Sequence, residues 1–326
     1  MNEKGYEIGC YGKLPVAADF ISSQADHPAA AGFVRWLDEA ISLARTRLND
    51  DWLEHFQKMP PHGFIYRSNG SSSYLAGALF PSRDQSGRAF PFATFFRSGG
   101  SAATLNAAAI PRHLGEFVKA ASAIRDGDPS DINDLHRVLN DLGGTIPPMD
   151  QMGRGNDWDP LDGWTVGKLA QSLGFGGGIK IVRRVSRNLL DIAPRFQTRP
   201  DRTPALGFRF PMPSEAENVL PALTFWLESS RVILGSALPL PIIFWTLAAD
   251  RSQAHLDLYY MTPPPARFLL LLVPALSSDN LYPLDEDDAP QRMSHNALIA
   301  GAMEQAGRSD EPLVSVLRSL DRALGH

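Results

Sequence analysis

Residues 63–97 read GFIYRSNGSSSYLAGALFPSRDQSGRAFPFATFFR. Three short runs in this stretch, GFIYRS, YLAGALFPS and AFPFATFFR, have the composition of strands. The joins SNGSSS and SRDQSGR are made of turn formers. Strands separated by short polar joins usually pair with one another, so a meander is predicted here. A second cluster follows much later: PALGFRFPM at 204–212, PIIFWTLA at 241–248 and HLDLYYMT at 255–262. PIIFWTLA is apolar on both faces, which places it in the middle of a sheet. With helical segments between and around the clusters, the chain reads as an α/β protein, a three-layer α/β/α sandwich around one central mixed sheet. Two separate domains, one per cluster, is the alternative.

Upstream, residues 6–11 form a short candidate strand and residues 13–27 a loop. Pro28 stands where a first-turn proline is tolerated. Phe33, Trp36, Leu37, Ala40, Ile41, Ala44 and Leu48 recur at helical spacing. A shorter helix follows in DDWLEHFQKM, with Asp50 or Asp51 as its cap and Pro60-Pro61 as its stop. Residues 110–126, 131–142 and 164–173 read as helices. Residues 143–165, bearing Trp158 and Trp164, read as a long ordered loop. Ser214 and Glu217 form the pattern of a capping box for a helix over 214–231. Pro263–Pro265 open a further helix to Val273, and two amphipathic helices follow the acidic DEDD at 285–288.

The chain has 326 residues, 44% of them hydrophobic, enough for a substantial core. A formal net charge of -5 gives no nucleic-acid footprint. The single cysteine, Cys10, excludes an internal disulfide and a cysteine-based metal cluster. The apolar run RFLLLLVPAL is too short to span a bilayer, and MNEKGYEIGC lacks a signal-peptide core. A cytoplasmic location with no membrane span is the expectation.

Candidate chemistry is sparse. In GCYGKLPVAADF, residues 9–20, Gly12-Lys13 lacks the following hydroxyl and the earlier glycine of a phosphate loop, and Pro15 removes a backbone donor. The reading is a tight turn leaving a strand, with Lys13 on the surface. GFGGGIK at 174–180 misses the dinucleotide spacing, and Gly174 is better placed as a helix stop. The histidines show no H-E-x-x-H pattern; His62, His113, His136 and His255 read as isolated residues. DEDD lacks the ligand spacing of a calcium loop, and no G-x-S-x-G elbow is present. Asp157, Asp159 and Asp162 read as turn and cap acids beside two tryptophans, with a small polar pocket as the alternative. No catalytic residue, cofactor or metal site is assigned.

Taken in order, these stretches resemble the TagF (ImpM) family associated with type VI secretion. GCYGKLPVAADFI is similar to the family's opening signature, G-x-x-G-K-L-P-x-x-x-D-F. FVRWLDEAI, DDWLEHF, GALFPSRD and GRAFPF follow in family order, and LPIIFWTLA and MTPPPARFLLLL match more thinly later. One departure is Ala18, where the family often has glycine before the aspartate; a positive φ there would strain alanine. The resemblance implies a TagF-like α/β domain over 1–280, with an insertion at about 126–204, and a C-terminal helical extension over 281–326. It also implies a cytoplasmic, non-enzymatic accessory protein that restrains a type VI secretion system after translation. The expected partner is the forkhead-associated scaffold protein, and a homo-oligomer is left open. A hydrolase acting on a phosphorylated or cell-wall substrate and a structural subunit of the machine are the alternatives.

Two loops carry charges beside apolar anchors. If the sheet joins them, Lys13, Pro15, Asp19, Phe20, Arg83, Asp84, Arg88 and Phe90 make a partner-binding patch. Alternatively, Asp19 pairs with Arg88 merely to pin the loops.

Overall fold

The structure, a computed structural model, describes residues 6–98, 106–125, 127, 129–146, 158–174, 179–197, 206–235, 238–247, 250, 254–276, 278–286 and 297–325. The predicted meander is present as β3 (His62–Tyr66), β4 (Leu75–Phe80) and β5 (Phe92–Ser98), each antiparallel to the next. β1 (Tyr6–Gly12) lies antiparallel beside β5, and the three-residue β2 (Ile21–Ser23) closes that edge. The second cluster supplies β6 (Gly207–Pro211), β7 (Ile242–Thr246) and β8 (His255–Tyr259), with β9 (Leu281–Pro283) at the far edge. β3 pairs with β7, so the two clusters join as one nine-stranded sheet of order β2-β1-β5-β4-β3-β7-β8-β6-β9. The sheet is mixed, because β9 runs parallel to β6.

Strand alternation divides the core in two. On one face Phe64, Tyr66, Leu75, Phe95, Ile242 and Phe244 meet α1 (Pro28–Leu48), α2 (Trp52–Lys58) and α9 (Leu269–Leu272). Phe33 and Trp36 of α1 form the centre of this layer: Phe33 stacks on Phe64 at 4.8 Å and Trp36 on Phe244 at 5.3 Å. The opposite face carries Ile65, Ala76, Phe92, Phe96, Phe208 and Phe210. It is covered by α3 (Ala109–Arg125), α4 (Ile132–Thr145), α5 (Val166–Ser172), α6 (Ile179–Ile192), the short α7 (Pro194–Gln197) and α8 (Ala216–Leu234). This is the expected three-layer arrangement.

α8 is buried nearly all round, as a helix apolar on every face must be. α6 and the C-terminal α11 (Leu313–Leu324) lie against it, with α10 (Ala297–Gln305) alongside. Leu313, Val316, Leu317 and Leu320 are therefore part of the same core as the sheet.

Some local expectations are corrected. α8 starts at Ala216, with Glu215 at its N-cap and no side-chain cap bond, so the Ser214–Glu217 capping box does not form. The later start leaves Glu217 in the first turn, out of reciprocal register with Ser214. Neither Asp50 nor Asp51 caps α2, because a 3-10 turn over Asn49–Asp51 leads straight into it and leaves Asp51 in a helical conformation. The cap of α1 is His27, whose Nδ1 accepts from Ala29 N–H at 3.2 Å. Gly174 does end its helix, at φ +68°. The tract 175–178, residues 147–157 of the loop read over 143–165, and Asp287-Asp288 lie outside the described residues.

Candidate functional site

The loop after β1 and the turn between β4 and β5 sit side by side. Gln85 N–H donates to Ala17 O at 2.9 Å, and an Arg88 Nη2–H donates to Ala18 O. Asp84, buried, holds the joint together. Its Oδ1 accepts from Ser86 N–H, the Ser86 hydroxyl and Arg88 N–H at 2.9–3.1 Å. Its Oδ2 accepts from Lys13 Nζ at 2.8 Å and Arg88 Nε at 2.7 Å. Burial alone would raise this carboxyl. The bonds from Lys13, Arg88 and Ser86 outweigh it and hold the group well below the usual carboxylate range.

All eight predicted patch residues thus lie on these two adjoining loops, but they divide by exposure. Lys13, Asp84 and Phe90 are buried; Pro15, Asp19, Phe20, Arg83 and Arg88 are exposed. Lys13 is not on the surface as expected, since only burial lets it reach both Asp84 and the Phe20 ring, 4.8 Å from its Nζ. The expected Asp19–Arg88 pair is also corrected. Arg88 is taken by Asp84, whereas Asp19 Oδ1 accepts from Phe20 N–H at 2.8 Å. A phosphate cradle has no place here, because the lysine it would use is already paired.

Phe20 is the outward face of the joint. It is 43% exposed, stacked on Tyr11 at 5.5 Å and set edge-on to Phe90 at 4.8 Å. Beside it a recess of about 370 Å³ runs to α1, where Asp38, Ile41 and Arg45 line it. Tyr11 donates its hydroxyl to Asp38 Oδ1 at 2.8 Å. Burial pushes the Asp38 carboxyl above its usual range, against the lowering effect of that bond. Arg45 spans to the Ala89 carbonyl and lies over Trp52. Nothing local in the sequence marks Asp38 and Arg45 among the polar residues of α1; only the packing of α1 beside the two loops brings them to the recess.

These features fall within a matched region. Residues 9–141 match the TagF N-terminal domain, type VI secretion system-associated. The match supports the TagF resemblance over these residues. The TagF match takes in both loops and α1, and it ends inside α4. No curated protein matches the chain. A solved structure, PA0076 from Pseudomonas aeruginosa PAO1, is similar at a TM-score of 0.49 and 13% identity, over 85% of this chain and 99% of that one.

A second polar group, unforeseen, lies on the same face towards the other end of the sheet. Asp257 of β8 is fully buried and clamped by Arg209 of β6, with Nε to Oδ1 and Nη2 to Oδ2 both at 2.7 Å. Arg209 also donates to the carbonyls of Pro274 (2.6 Å) and Leu270 (3.2 Å). Burial would raise Asp257, but the Arg209 charge keeps it below its usual range. His255 Nε2 stands 3.8 Å from Asp257 Oδ2, and the His62 ring centroid is 5.8 Å from that of His255. Burial first, and His255 second, bring His62 down to about 3. Two of the four histidines read as isolated, His62 and His255, are therefore neighbours, brought together by the β3-β7-β8 pairing. Among the described residues no cluster of three or more His, Cys, Asp or Glu is arranged to hold a metal ion, and no helix is long and apolar enough to cross a membrane.

Proposed function

We propose that this protein is a non-enzymatic, cytoplasmic accessory protein that restrains the assembly or activity of a type VI secretion system after translation. It does so by binding a scaffold component such as the forkhead-associated protein. One observation carries the reading: the TagF-matched residues converge on a braced surface whose outermost side chain is an exposed aromatic, Phe20. An aromatic held rigidly by its own neighbours loses little entropy on docking, which is what an interface anchor requires. Lys13, Asp84 and Arg88 are then the brace, and Phe20, Pro15 and the Asp38 recess are the contact.

The test is capture of the forkhead-associated scaffold from lysate by immobilised wild type and by Phe20→Ala. Wild type retains the scaffold, and the variant loses it while melting at the same temperature. Equal capture by both moves the interface elsewhere, and no capture by wild type removes the reading.

A further inference from the structure

Beyond the TagF match, the β6–β9 edge holds a cavity of about 920 Å³, in the size range of a ligand or short-peptide site. Its wall includes Leu276, an uncovered apolar side chain 44% exposed, with Ala275 and Tyr282 nearby. Asp279, Asp285 and Glu286 line the same space. Arg209 also faces it, but its charge is matched by Asp257 and its donors are spread over that carboxylate and two carbonyls. Arg184 reaches the acidic segment through the Asp285 carbonyl, at 2.9 Å. Among the described lining residues, the acids therefore exceed the cations.

The occupant does not pair with β6 as a strand. Beyond Arg209, the next outward position of β6 is Pro211, which has no N–H, and its carbonyl accepts from Trp226 Nε1 at 2.9 Å. Recognition along β6 therefore comes through side chains. An apolar surface beside carboxylates that outnumber the lining cations suits a cation on an alkyl stem, since lysine and arginine lay their methylenes on apolar surface and keep the charged head at a polar rim.

We propose that this cleft receives an arginine or lysine side chain of a polypeptide partner, with its stem on Leu276 and Tyr282 and its head among Asp279, Asp285 and Glu286. The cleft is separated from the Phe20 surface by six strand positions, roughly 30 Å at the usual inter-strand spacing. It stands or falls apart from the scaffold reading.

The full chain is titrated calorimetrically with acetyl-Leu-Arg-Leu-amide and with the same peptide carrying citrulline, which keeps the shape and removes the charge. The arginine peptide binds at least about fivefold tighter, high salt reduces the difference, and Asp279→Asn with Glu286→Gln abolishes it. Leu276→Ala, which leaves every carboxylate in place, weakens both peptides. Melting temperatures establish that each variant is folded. Equal affinity for the two peptides, binding of neither, or a preference that survives the double substitution overturns the proposal.

Discussion

Gly12 shows why the signature needs its glycine before the lysine. Its φ is +135°, and a Cβ there would lie 2.0 Å from Pro91 O, a backbone atom that cannot swing away. The backbone conformation alone costs a side chain about 1–3 kcal/mol. Gly12→Ala should therefore lower the urea midpoint clearly and loosen the Lys13 turn; an unchanged midpoint would refute this. Ala18, in contrast, is not among the residues with positive φ, so its departure from the family pattern carries no such strain. Asp84 makes a prediction in pH. Its folded carboxyl titrates below the ordinary value of about 3.9, so the unfolded chain binds the proton first as acid is added. Its stabilisation is present above about pH 4 and is lost as pH falls towards the folded value. Wild type should lose more melting temperature between pH 6 and pH 3 than Asp84→Asn, which starts lower.

At the scale of elements, helices beyond the TagF match also belong to the core. α5 is stitched to the C-terminal segment by Val166 N–H to Glu311 O and Gly167 N–H to Ser309 O, both at 2.9 Å. A Cβ on Gly167 would meet Ser309 Oγ at 2.2 Å and Ser309 O at 2.8 Å. Gly167→Ala should speed hydrogen exchange in α10 and α11 before it affects β3–β5; uniform change across the chain would contradict this. In α6, Leu189→Ala should cost about 2–5 kcal/mol in denaturant, because the side chain is fully buried.

α6 was legible but unread: Ile181, Val182, Val185, Leu189 and Ile192 recur at helical spacing, directly after the glycine-rich tract that drew attention instead. The meander, the central place of β7 and the helix spanning Phe33 to Leu48 were legible because their periodicity is strong and local. β2 and β9 were not, since each has three residues and owes its strand state to a neighbour. The same limit hid Asp257–Arg209. Alternation along HLDLYY can put His255 and Asp257 on one face, but only the β6–β8 register sets Arg209 opposite Asp257.

Over the whole molecule, one sheet carries two unlike surfaces near opposite edges: an aromatic joint at β1–β2 and an acidic cleft at β6–β9. Between them lies a buried histidine pair, His62 and His255, of which His62 contributes to the acid response. His62 is held neutral to about pH 3, whereas a histidine in the unfolded chain takes its proton near 6.5. Its depressed folded value means that stability falls as pH drops from about 6.5. His62→Leu should flatten that part of the stability curve; an unchanged slope would show that other groups set it.

The central claim is that the braced Phe20 surface binds the secretion scaffold. Its most direct test is calorimetric titration of the purified forkhead-associated protein into wild type and into Phe20→Ala, with Glu54→Ala of the exposed α2 face as a control. The account predicts saturable binding by wild type and control, and at least about tenfold weaker binding by Phe20→Ala at equal melting temperature. Equal affinity for all three would contradict it.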